Sequence, residues 1–322
     1  MNKFTAEKIH EHLMNASRII IIPHPNPDED ALGSASAVHE YLNSLGRQAS
    51  IYCATPANPR LKYLPSMPAI TNDARIFTKP DVDTIVFVDC GDPRYAGVSD
   101  IIKNHPATII NIDHHATNEN YGAHNLVMTR AAATAEILFK FFDHNRINVS
   151  RHMATNLLAG IITDTGNFTN SATTPSAMAI AGELVRRGAN YKLINYFTQK
   201  DKNFKLLRLW GLALSRLEKI EEHGLVYTHL KQSDFQTLGL NESDAEGISD
   251  FMNNIDDAKI LLTLKETAEG KIKGSFRTTV EGVDVAAMAK QLGGGGHKKA
   301  AGFTADGTVE EVIERILTLN AK

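Results

Sequence analysis

The chain has 322 residues, enough for two cores, since a single core usually stops growing near about 250–300 residues. With 43% apolar and 22% charged residues it has the composition of an ordinary globular protein, neither disordered nor fibrous. A formal charge of −3 argues against an open surface that grips long nucleic acid by neutralising many phosphates, while a short anion in a local basic pocket stays compatible. The two cysteines, Cys53 and Cys90, lie in apolar runs without CxxC spacing, so neither a disulfide scaffold nor a thiolate zinc site is expected.

Residues 1–18 mix Lys, Glu and His with scattered apolar positions and do not read as a signal peptide. All apolar runs fall well short of the roughly 20 residues that span a bilayer, so a cytoplasmic enzyme with no membrane contact is the expectation. Three short runs share one design: 18–23 (RIIIIP), 84–89 (TIVFVD) and 108–113 (TIINID). They are rich in β-branched residues and free of charge until their ends, the pattern of buried parallel strands. Helical patterns occupy 31–45, closed by Gly46, then 131–144, 150–162, and 175–187, closed by Gly188. This alternation predicts an α/β, doubly wound, mainly parallel sheet with ligands beyond the carboxyl ends of its strands.

The stretch 190–221 turns polar and helical, with charges at Lys200, Asp201, Lys202, Lys205 and Arg208. It reads as a linker between a catalytic domain, 1–189, and a smaller α/β domain, 222–322. In the latter, strands are expected at 225–230, 259–266 and 271–278, the last two joined by a turn at Ala268-Glu269-Gly270. A helix over 283–292 and a glycine run follow.

Acids and histidines cluster where the apolar runs end. His24-Pro-Asn-Pro-Asp28-Glu-Asp30 leaves the first strand and enters a helix. Two carboxylates at i and i+2 can point to neighbouring ions while the histidine approaches one of them; taken alone, both acids also suit the first turn of a helix. Asp89 ends the second run, Asp113-His114-His115 ends the third, and Asp164 closes an apolar helix, where the dipole disfavours an acid unless something compensates it. Four such segments together point to a metal site built from His24, Asp28, Asp30, Asp89, His114 and Asp164. Mixed imidazole and carboxylate donors suit Mn²⁺, with Mg²⁺, Fe²⁺ or Co²⁺ as substitutes. More acids than one ion requires imply two ions sharing one of them.

Together these segments resemble the DHH phosphoesterase superfamily, whose triplet is Asp113-His114-His115 here. Gly293-Gly-Gly-Gly296-His297-Lys-Lys-Ala-Ala-Gly302, preceded by Ser275-Phe276-Arg277-Thr278, resembles the DHH-associated domain. The combination is similar to the bifunctional oligoribonuclease and pAp phosphatase family, which shortens very small RNAs and dephosphorylates 3′-phosphoadenosine 5′-phosphate (pAp). Glu29, where relatives often have a small residue, Thr278 in place of Ser, and a fourth glycine depart from the pattern without touching a proposed ligand.

The resemblance implies that His24, Asp28 and Asp89 hold one ion and Asp30, Asp89, His114 and Asp164 the other, with Asp89 as the bridge. Two ions can lower the pKa of a shared water and stabilise charge on the phosphoryl oxygens. Asp113 is expected to orient His114, and His115 to contact the scissile phosphate. Asp89, Asp113 and His115 are thus the catalytic candidates. Substrate binding falls to His115, Arg94, Ser275, Arg277, Gly295, Gly296 and His297, with backbone N–H groups of the glycines near an anion and Arg277 gripping a phosphate bidentately. A cleft between domains would then measure substrate length. Trp210 and Phe168 offer a base-stacking surface or simply core. A family II pyrophosphatase would carry a Ser-Arg-Lys-Lys clamp, and a RecJ-type exonuclease a further domain. Hydrolysis of pApA or another linear dinucleotide, and a nucleotide-binding regulator without catalysis, stand as alternatives. The expected partners are short RNA or pAp rather than long duplexes, and a homodimer is allowed.

Overall fold

The structure is a computed structural model that describes residues 1–200, 203–245 and 247–319. It divides into two compact units between residues 201 and 202, within the stretch expected to link the domains. Of that stretch, Asp201 and Lys202 lie outside the described residues.

In the first unit a six-stranded sheet has the order β3-β2-β1-β4-β5-β6, from β1 (Arg18–Ile22), β2 (Gln48–Tyr52), β3 (Ile70–Thr71), β4 (Val82–Val88), β5 (Thr108–Asp113) and β6 (His124–Val127). Every pairing is parallel. The charge-free runs become β1, β4 and β5 because both faces of the sheet are covered. Ile19, Ile21, Val86, Val88, Ile110 and Ile112 enter one core, whereas Ile20, Ile22, Ile85 and Phe87 enter another on the opposite face.

The first core is closed by helices α1 (Lys3–Asn15), α2 (Glu29–Ser44), α4 (Thr134–His144), α5 (Arg151–Asp164), α6 (Pro175–Arg186) and α7 (Tyr191–Asn195). The second is closed by a 3-10 turn, Ala74–Thr78, and the short α3 (Ser99–Ile102). β1 pairs with β2 on one side and β4 on the other, so the winding reverses between β1 and β4. That reversal opens a crevice beyond the strands' carboxyl ends, the usual ligand position of such sheets.

The second unit carries α8 (Phe204–Ser215) and a mixed sheet of order β11-β12-β10-β9-β8-β7, formed by β7 (Glu218–Ile220), β8 (Leu225–Leu230), β9 (Ile260–Glu266), β10 (Ile272–Arg277), β11 (Gly295–His297) and β12 (Ala300–Ala305). Only β8 and β9 run parallel. Helices α11 (Val285–Gln291) and α12 (Val309–Leu317) pack on Leu262, Leu264 and Phe276. On the other face lie α8, α9 (Gln232–Leu238) and α10 (Ile248–Phe251). Trp210 and Phe168 both pack against apolar cores. Both cysteines are buried and unbridged, and among the described residues no helix is long and apolar enough to cross a membrane.

Candidate metal centre

The six proposed ligands come together at the winding reversal. After β1, Asn26 takes a left-handed φ of 49°, turning the chain so that Asp28 becomes the N-cap of α2. Asp28 Oδ1 accepts Ala31 N–H (3.0 Å), the helix-cap role, and also faces His24 Nε2 (3.7 Å). His24 Nδ1 lies 2.8 Å from the Pro25 carbonyl. Only a donor satisfies that contact, so Nδ1 carries the hydrogen and Nε2 is turned toward the acids.

Asp89 follows β4 with φ 56°, a left-handed conformation uncommon outside glycine and concentrated at functional sites. Its two oxygens face different imidazoles: Oδ2 lies 3.5 Å from His24 Nε2 and Oδ1 3.5 Å from His114 Nε2. Asp164, the last residue of α5, reaches His114 Nε2 at 3.4 Å. Asp30 is fully buried and accepts Thr134 N–H (2.7 Å) and Ala135 N–H (2.8 Å). These are the first N–H groups of α4, whose N-cap, Ala133, has no capping side chain; Asp30 supplies that cap from another helix. The ligand-capable atoms of His24, Asp28 and Asp89 lie within 4.8 Å of one another, as do those of Asp30, His114 and Asp164 and those of Asp89, His114 and His115.

Burial and the neighbouring Asp89 carboxylate push Asp30 up to about 8. Burial, then Asp28, raises Asp89 to about 6, and burial beside Asp30 and Asp89 raises Asp164 well above the usual range. Burial alone would lower His24, but Asp28 and Asp89 hold it up at about 9. Converging buried acids that resist ionisation, with imidazole Nε2 atoms turned toward them, form a donor set that divalent cations fit.

Two glycines permit this convergence. A Cβ on Gly160 of α5 would stand 2.5 Å from Asp30 Oδ1 and 2.9 Å from its Cα, and one on Gly33 of α2 would stand 2.5 Å from the Asn156 carbonyl oxygen. α2 and α5 cross at near backbone contact there, which sets Asp30 against α4.

The expectation that Asp113 orients His114 is corrected. Asp113 Oδ1 contacts His115 Nδ1 at 2.8 Å, while His114 Nδ1 faces the Ala131 carbonyl at 3.4 Å. β5 ends at Asp113, and beyond it both imidazoles turn toward Asp89 Oδ1, His114 by Nε2 at 3.5 Å and His115 by Nδ1 at 3.7 Å, which leaves His115 as the ring beside Asp113. The hydrogen bond to Asp113 raises the His115 pKa, and despite burial the bond from His115 lowers that of Asp113.

Arg94 is exposed and paired with Asp92 at 2.6 Å. In the second unit, Arg277 Nε donates to Asp250 (3.0 Å) and a terminal nitrogen to the Phe276 carbonyl (3.0 Å). Ser275 sits on β10 opposite Thr263 and Gly302. The glycine run is no open loop: Gly295, Gly296 and His297 pair with β12 as β11. Gly296 has φ 140°, and a Cβ there would meet the Ala300 carbonyl oxygen at 2.6 Å. Close strand approach demands glycine at Gly296, whereas a Cβ on Gly295 would meet nothing within 4 Å. Thr134, Gly33 and Gly160 escape sequence reasoning, because nothing in AAATAE or AGII marks a helix start or crossing that serves a distant acid.

The DHH family, N-terminal domain model matches residues 18–161, and the DHHA1 domain model matches 225–321. The bifunctional oligoribonuclease and PAP phosphatase NrnA of Thermus thermophilus is 32% identical over 303 residues, 93% of this chain and 88% of that protein. The chain belongs to the DHH family. A probable bifunctional oligoribonuclease and PAP phosphatase NrnA of Streptococcus mutans is 29% identical, covering 88% of both chains. The fold matches the crystal structure of an exopolyphosphatase-related protein from Bacteroides fragilis with a TM-score of 0.88, at 24% identity over 98% of this chain and 96% of that one. Within this DHH chain, Asp164 falls just beyond the matched N-terminal segment, while the other proposed ligands lie inside it.

Proposed function

We propose that this DHH-family chain is a two-metal phosphoesterase that hydrolyses short oligoribonucleotides to mononucleotides and pAp to AMP, with Mn²⁺ as the preferred cation and Mg²⁺ or Co²⁺ as substitutes. The observation that carries the reading is Asp89, whose two oxygens face His24 and His114 and which joins the His24–Asp28 group to the His114–Asp164 group. The names of the Thermus and Streptococcus relatives, each covered over 88% of its length, support the substrate class.

His24, Asp28 and Asp89 would hold one ion, and Asp30, Asp89, His114 and Asp164 the other. When bound, the pair lowers the pKa of a shared water and offsets charge on the phosphoryl oxygens. The chain's part is to keep the donors aligned: Thr134 and Ala135 fix Asp30, and the Pro25 carbonyl fixes His24. His115, with Nδ1 committed to Asp113, keeps Nε2 for a phosphoryl oxygen. Arg94, Ser275, Arg277, Gly295, Gly296 and His297 are assigned to the rest of the substrate. Arg277 pairs with an Asp250 side chain that is 67% exposed, so a phosphate offering two acceptors can displace it.

The test is turnover of pAp, pApA, RNAs of graded length, single-stranded DNA and pyrophosphate with Mn²⁺. Short RNA and pAp should lead. A preference for pApA would move the protein to dinucleotide turnover, and binding of pAp without turnover of any substrate would make it a regulator. Asp89→Ala should abolish turnover with the circular dichroism spectrum retained; substantial Mn²⁺-dependent activity in that variant contradicts the bridging role.

A further inference from the structure

The segment after His115 joins β5 in a partly buried amide ladder that ends on Asp113. Asn111, fully buried on β5, donates from Nδ2 to Asn118 Oδ1 (2.9 Å) and to Asn125 Oδ1 (3.0 Å). Asn118 returns a bond from its Nδ2 to Asn111 Oδ1 (3.1 Å) and sends another to Asp113 Oδ2 (2.6 Å). Its oxygen also accepts Asn120 N–H at 2.8 Å. Both donors of the Asn118 amide are spent, so its orientation is fixed.

The surrounding loop is built to hold this arrangement. Asn125 Oδ1 accepts Gly122 N–H (2.9 Å) and its Nδ2 donates to the Gly122 carbonyl (2.6 Å). A Cβ on Gly122 would meet the His124 carbonyl oxygen at 2.9 Å and Asn111 Cβ at 3.1 Å, so only glycine lets the turn close over the ladder. From the other side, Tyr121 Oη donates to the Cys90 carbonyl (2.6 Å), tying the loop to the residue after Asp89.

Asp113 thus has one oxygen on Asn118 and the other on His115 Nδ1 (2.8 Å). A carboxylate held at one end by a rigid amide holds its other partner in one orientation. Asp113 accepts, so His115 must donate from Nδ1, leaving Nε2 directed away from the ladder. We infer that Asn118 is a positioning residue for His115: acting through Asp113 and backed by Asn111 and Asn125, it fixes the tautomer and aim of the imidazole. The Asn118 amide is spent on Asn111, Asp113 and the Asn120 N–H, so the ladder serves aim rather than ion binding.

The kinetic part of this inference rests on the phosphoesterase reading; the spectroscopic part does not. Asn118→Ala should lower kcat by about 10–100-fold, the usual effect of removing such a partner, with KM and Mn²⁺ affinity unchanged. In a His115→Ala background the same substitution should cost nothing further, because both act through one imidazole. Nitrogen-15 NMR of His115 should show the Nδ1–H tautomer in the wild type and a mixture in Asn118→Ala. If Asn118→Ala fails to fold, Asn118→Asp at pH 9 keeps the shape and acceptor oxygen while removing the donor, and should give the same loss. Additive losses in the two backgrounds, or an unchanged tautomer in a folded Asn118 variant, overturn the inference. A wild type that hydrolyses no phosphoester refutes the proposed function, and the tautomer measurement then decides the role of Asn118 alone.

Discussion

Thr134 links the two most buried acids of the centre: its N–H donates to Asp30 and its hydroxyl to Asp89 Oδ1 at 2.9 Å. Thr134→Val removes only the second bond, freeing Asp89 to turn away from the bridging position proposed for it. Mn²⁺ affinity by calorimetry should fall roughly 10–100-fold, the range seen when a ligand loses its supporting hydrogen bond. Thr134→Ser should restore it; equal affinity in the Val variant would show that Asp89 is held by its backbone alone. The six proposed ligands were legible because each is a charged or imidazole side chain near the end of an apolar run. Thr134 was not, since half its role belongs to a backbone N–H. The pairing of Asp113 with His115 rather than His114 was not legible either, because β5 ends at Asp113 and the path of the chain beyond it decides which imidazole lies beside the acid.

The α2–α5 crossing carries the element-scale argument. Gly160→Ala would place a methyl group against Asp30, where the nearest atoms include backbone, so relief requires moving a helix. The cost should be about 1–3 kcal/mol in urea unfolding, with weaker Mn²⁺ binding as Asp30 leaves the α4 N-terminus. Gly182 on α6 is the control: it is exposed, a Cβ there meets nothing within 4 Å, and Gly182→Ala should stabilise by about 0.5–1 kcal/mol. Equal effects would remove the crossing from the account. The strands β1, β4 and β5 could be read because burial on both faces leaves no room for charge. The segments QASIY and HNLV, which became β2 and β6, are shorter of apolar residues and lie nearer the sheet edges. The glycine run reads in composition as open backbone, yet β12 supplies the close partner that makes its second half, Gly295 and Gly296, a strand, a pairing between chain segments that composition does not encode.

At the scale of the whole molecule, the buried acids couple fold stability to protons and, with ions bound as proposed, to divalent cations. Asp30 and Asp89 rise from an ordinary 3.8 to about 8 and about 6 in the folded chain. Without cation they contribute stability that is complete below pH 3.8 and is lost as pH rises through those values. His24, raised from 6.5 to about 9, acts in the same direction, its contribution vanishing as pH climbs through that higher value. The cation-free protein should therefore lose stability from this cluster between about pH 4 and 9. A divalent cation bound as proposed would take the place of those protons, so its binding should release them and strengthen with pH. At 100 times Kd it adds about 2.7 kcal/mol to the folded state. Thermal unfolding in Mn²⁺ and in EDTA should differ little at pH 5.5 and widely at pH 8.5, and calorimetry in buffers of different ionisation enthalpy should report proton release. Asp89→Ala should narrow the difference at pH 8.5. Equal Mn²⁺ stabilisation at both pH values, or its full persistence in Asp89→Ala, would detach the cation from these buried acids and place its binding elsewhere in the chain.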